Sequence, residues 1–163
     1  MKMTTVHLMR VRRTLWSKLI LICLAAPVLS SCHKTHWVYS SNCSNGIIFR
    51  KVEFSELIRH IQKYDQQYVE VSGKYVEAKE QSALYNDSLF TDHSPKHALW
   101  VNFSQDCPLY LKGTHKGLFE PNNGEFTPIN NKKIRIRGKI DLHNHGHLRQ
   151  YAATIDRISL VEL

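Results

Sequence analysis

The spacing of apolar and polar positions changes along the chain, and each change marks an element. From Phe54 the apolar residues Phe54, Leu57, Ile58 and Ile61 recur at helical spacing with Arg59, His60, Gln62 and Lys63 between them, which predicts one short amphipathic helix. After Tyr64 the period becomes two. Val69, Val71, Gly73 and Tyr75 fall on one face and Tyr68, Glu70, Ser72, Lys74 and Val76 on the other, so a long strand is expected, with Gly73 allowing sharp bending or close backbone approach. Ser82 to Phe90 predicts a second strand and Ala98 to Phe103 a third, more apolar one, joined by a loop over Thr91 to Lys96. Ser104 to Asn131 contains Pro108, Gly113, Gly117, Pro121, Gly124 and Pro128, and leaves room only for a short strand or turn at Leu109 to Leu111 or Gly117 to Phe119. Lys133 to Ile140 is the clearest strand, with Ile134, Ile136 and Ile140 alternating with Lys133, Arg135, Arg137 and Lys139. A polar connection from Asp141 to Arg149 then leads to a closing strand over Tyr151 to Leu160.

Five or six strands with one modest helix predict a mainly β fold, a small closed or partly closed barrel, with a small sandwich of the same strand count as the competing arrangement. The runs Tyr68 to Tyr75, Lys133 to Ile140 and Ile155 to Leu160 resemble those of an OB-fold domain. They are similar in particular to the small bacterial envelope lipoproteins of unknown function that carry such a barrel. The resemblance covers about residues 52–163 and implies a five- to six-stranded OB-like barrel preceded by the helix at its N-terminal end. It also implies that Asp141 to Arg149 joins the last two barrel strands, one of the loops that frame the usual ligand face of this fold.

The N-terminal region has a different pattern. A basic stretch ending at Lys18 precedes an apolar run from Leu19 to Leu29, long enough for the core of a signal peptide and too short for a confident membrane span. The run ends Leu29-Ser30-Ser31-Cys32, which resembles the lipobox of bacterial lipoproteins. That resemblance implies cleavage after residue 31, acylation of Cys32, and a tether over residues 32–51; an uncleaved anchor helix followed by an ordinary buried Cys is the alternative. Two acyl chains make attachment to a bilayer stable, whereas one binds only marginally. His33 stands where inner-membrane retention calls for Asp, so the outer membrane is the favoured destination, facing the periplasm or the cell surface.

This leader changes the reading of charge. The chain carries 22 Lys and Arg against 14 Asp and Glu, but residues 1–31 hold five of the basic side chains and no acidic one. Without them 17 basic residues face 14 acidic ones, so the basic balance is no nucleic-acid signature, and export argues further against that partner. Two cysteines remain, Cys43 and Cys107, in a compartment that permits a disulfide between them. No CxxC is present to support thiol exchange chemistry.

Two features carry candidate chemistry. Lys133, Arg135, Arg137 and Lys139 form a basic stripe able to meet phosphates, acidic glycans or an acidic protein, with Asp141 and Arg149 beside it and Trp100, Phe103, Tyr110 or Tyr151 as possible stacking surfaces. The same stripe is what a solvated strand face requires. His143, His145 and His147 are chemically capable of holding zinc or another borderline transition metal, yet the same spacing suits loop residues bonded to water and backbone. There is no HExxH, no nucleophile elbow and no Gly-rich phosphate loop. The sequence therefore predicts a membrane-tethered binding or interaction protein of the cell envelope without catalytic activity or a required cofactor. Its ligand would be an envelope protein, a glycan or a small anion. A metal-binding lipoprotein and a cryptic envelope hydrolase are the alternatives.

Overall fold

The computed structural model describes residues 36–86 and 94–163. The proposed signal segment 1–31 and Cys32 lie outside the described residues, as does the far end of the second expected strand. Eight strands and one short α-helix follow in the order β1 (Val38–Ser40), β2 (Arg50–Lys51), α1 (Phe54–Arg59), β3 (Tyr68–Ala78), β4 (Gln81–Tyr85), β5 (Leu99–Val101), β6 (Tyr110–Leu111), β7 (Lys133–Asp141) and β8 (Ala153–Glu162). Among the described residues no helix is long and apolar enough to cross a membrane.

The strands β3, β4, β5, β8 and β7 pair in that order, and β7 returns to β3, closing a five-strand barrel. Every pair in the ring is antiparallel except β5 with β8, so the barrel is mixed and compatible with an OB-like fold. Closure follows from the period-two pattern: Val69, Val71, Tyr75, Leu84, Leu99, Val101, Ile134, Ile136, Ile140 and Ile155 all turn inward and are buried. Phe54 and Leu57 of α1 join the same core. Beyond Arg59 the chain tightens into a 3-10 turn, Ile61–Tyr64, instead of continuing as α-helix.

Gly73 sits where β3 exchanges partners, between its pairing with β7 and its pairing with β4. A Cβ there would stand 2.6 Å from the Tyr85 carbonyl oxygen and 2.8 Å from Leu84 Cγ, so only glycine admits this strand-to-strand approach.

The stretch expected as tether contributes to the sheet in its described part. β1 inserts between the C-terminal half of β8 and the short β6, and β2 pairs in parallel with β3. Tyr39 accounts for the first contact: its ring is buried and its hydroxyl lies 2.9 Å from Thr127 Oγ1. Cys43 and Cys107 are joined by a disulfide with a Cα–Cα distance of 5.5 Å, which fastens the turn after β1 to the breaker-rich connection between β5 and β7. That connection is anchored by buried Leu109, Leu118 and Ile129.

Candidate functional site

The basic stripe of β7 lies on the outer face of the barrel, as alternation requires, and its cations fall into two groups. Arg135 and Arg137 are engaged. Arg137 Nε donates to Glu70 Oε2 at 2.6 Å, and Arg135 Nη1 lies 3.6 Å from Glu70 Oε1 while its Nη2 bonds Glu162. The Glu162 carboxylate raises the Arg135 pKa further. Glu70, assigned by alternation to the polar face, is only 7% exposed because the two guanidinium groups cover it. The Arg137 guanidinium also lies 5.5 Å from the centroid of the Phe49 ring, a cation–π contact. Lys139 is bonded to Gln66 through its ammonium. Lys133 is different. It faces Lys74 across the β3–β7 pair and follows Lys132, and none of these three has an ion-pair partner among the described residues.

The connection from β7 to β8 folds back over the barrel wall. Gly146 packs directly on Trp100 of β5, in a backbone conformation of φ 65° and ψ −157°. Trp100 in turn meets Tyr151 with ring centroids 5.3 Å apart. Tyr151 is buried, and burial together with Tyr85 raises its hydroxyl pKa. Of the aromatics named from the sequence, Trp100 and Tyr151 thus support the loop, Phe103 packs between Tyr75 and Phe119, and Tyr110 is exposed, as are Trp37, Phe119 and Phe126. Arg149 is exposed at the end of the loop.

The three loop histidines take separate partners. His145 Nδ1 donates to the Tyr151 carbonyl at 2.9 Å, His147 Nε2 lies 3.5 Å from Glu80 Oε2, and His143 Nδ1 lies 3.4 Å from Asp141 Oδ1. Among the described residues the group that does converge is Asp65, Asp141 and His143, whose ligand atoms lie within 4.8 Å of one another. Asp65 comes from the turn before β3. The Leu142 backbone N–H, donating to its Oδ1 at 3.1 Å, lowers its pKa. Close by on β8, burial raises the pKa of Asp156 and the Asp141 charge raises it further, against the pull of Lys139 and Arg157.

Two clefts absent from the sequence reading flank the disulfide. One of about 530 Å³ is lined by Ser40, Cys43, Asp106, Tyr110, Lys112 and Thr114; the other, of about 400 Å³, by Phe103, Cys107, Leu109, Leu118 and Phe119. Their walls come from β1, β6 and the β5–β7 connection, segments with no periodic signal. No protein-family profile matches the chain, and no curated protein or solved structure is significantly similar to it.

Proposed function

We propose that the chain is a non-catalytic binding protein of the bacterial cell envelope, tethered to a membrane through acylated Cys32, whose barrel captures an anionic envelope component on its basic face. The leader and the sequence Leu29-Ser30-Ser31-Cys32 support the tether and favour the outer membrane. The observation that carries the binding reading is the pairing of Lys74 opposite Lys133, with Lys132 next to it in the chain. Like charges opposite one another across a strand pair destabilise the sheet, and an anion bridging them relieves that repulsion. The engaged pair Arg135 and Arg137 serves mainly to cover Glu70, so the ligand face centres on the lysines at the start of β7, while Arg149 and the β7–β8 loop belong to the other end of that strand. Acidic glycan, lipid head group and acidic protein share the required chemistry, whereas nucleic acid does not suit an exported chain.

The test uses the full chain in non-ionic detergent on dextran sulfate beads, with neutral dextran as control. The reading expects salt-sensitive retention that is lost when Lys74, Lys132 and Lys133 are all replaced by Gln. Equal retention of that variant at the same ionic strength rejects the face.

A further inference from the structure

The meeting of Asp65, Asp141 and His143 has the donor set of a metal site, and it differs from the three-histidine loop that the sequence spacing suggests. We propose that a divalent transition cation of the zinc class binds between these three side chains. Tetrahedral zinc with bonds of about 2.0–2.2 Å to imidazole nitrogen and carboxylate oxygen places its donors about 3.3–3.6 Å apart. His143 Nδ1 and Asp141 Oδ1 already stand 3.4 Å apart and all three donors lie within 4.8 Å, so closure needs a shift of at most about 1.5 Å. His143, with 82% of its side chain exposed, is free to supply it.

A second observation points to the same place. Thr154 is 1% exposed, its Oγ1 has no hydrogen-bond partner among the described residues, and it projects from the sheet face that carries Asp141, its register partner on β7. Asp156 Oδ1, two residues along the same face, is likewise enclosed without a partner among the described residues. Orphaned buried polar atoms of this kind cost roughly 1–3 kcal/mol each. Both atoms stand on the sheet face of Asp141, where the outer shell of a cation would offer them partners. Charge runs the same way: Asp65, Asp141 and Asp156 are answered nearby by Lys139 and Arg157, and the Lys139 ammonium is bonded to Gln66. One nitrogen and two oxygens suit a borderline cation better than calcium or magnesium, which take oxygen ligands and more of them. With three protein ligands the site keeps open positions for water or for an anionic group of a ligand.

Isothermal titration of the full chain in non-ionic detergent with zinc chloride alone, after chelator treatment, tests the site. One ion per chain is expected, with affinity falling at least about tenfold in His143→Ala and in Asp65→Asn and unchanged in His147→Ala. His143 is exposed, so its variant folds, and thermal unfolding of each variant confirms this. The proposal is overturned if millimolar zinc gives no saturable binding, if His143→Ala binds as the parent does, or if His147→Ala abolishes binding.

Discussion

Replacing Gly146 by Ala attacks the contact that seats the β7–β8 loop on the barrel. The glycine occupies φ 65° and ψ −157°, a region essentially closed to other residues, and holding Ala there costs roughly 1–3 kcal/mol. The new methyl would also stand 2.5 Å from Trp100 Cδ2 and 2.6 Å from Trp100 Cβ. Carbon atoms pack best about 3.5–4.0 Å apart, so loop and ring must separate by about 1 Å, at an overpacking cost of roughly 1–3 kcal/mol. The ring has little room to yield because Tyr151 lies behind it, 5.3 Å away, buried and bonded through its carbonyl to His145. The loop therefore lifts. A total near 3 kcal/mol lowers Tm by about 10 °C for a domain of this size. Thermal unfolding followed by near-ultraviolet circular dichroism reads both the Tm and the loss of the Trp100–Tyr151 environment. A Tm within about 2 °C of the parent, with an unchanged aromatic spectrum, would refute the packing of the loop on Trp100.

Three further outcomes follow from the same geometry. Removing the Cys43–Cys107 bond by double replacement with Ser frees a connection of 64 residues and lowers unfolding free energy by about 4 kcal/mol, measured in urea; a loss below about 1 kcal/mol contradicts the tie between β1 and the β5–β7 connection. Arg137→Ala leaves Glu70 buried with Arg135 alone at 3.6 Å and costs about 1–3 kcal/mol, and Arg137→Met with Glu70→Leu recovers most of it; an uncompensated double variant would mean that the pair is not the source of the loss. Burial raises the Tyr75 hydroxyl to about 12, so stability is fully present below the unfolded value near 10 and falls by about 1.4 kcal/mol per pH unit between the two, a fall that Tyr75→Phe removes in alkaline unfolding experiments.

Much of the barrel is legible because each long strand carries its own inward pattern. In β3 and β7 the alternating residues Val69, Val71, Ile134 and Ile136 turn into the core as the spacing requires. β1 gives no such signal. Its three residues gain order by pairing with β8 more than a hundred positions later, through contacts that only the closed fold provides. Glu70 shows the limit of period two, since its burial depends on guanidinium groups brought alongside by β7 and not on its own strand. The histidine loop shows another limit. Equal spacing places His143, His145 and His147 on one side only in extended chain, and Gly146, Leu148 and Arg149 all adopt positive φ. Asp65 lies far from Asp141 in the chain and meets it because the turn before β3 abuts the end of β7.

The tether is the part of the account on which the envelope role depends, and the mature N-terminus tests it directly. Intact-mass and peptide analysis of the chain recovered from membranes of a bacterium expressing it should find a polypeptide beginning at Cys32 and carrying diacylglycerol on the sulfur. A Cys32→Ala chain should lack that modification and leave the membrane fraction. A mature chain that begins elsewhere, or an unacylated Cys32 on a chain that still partitions with membranes, would contradict the account.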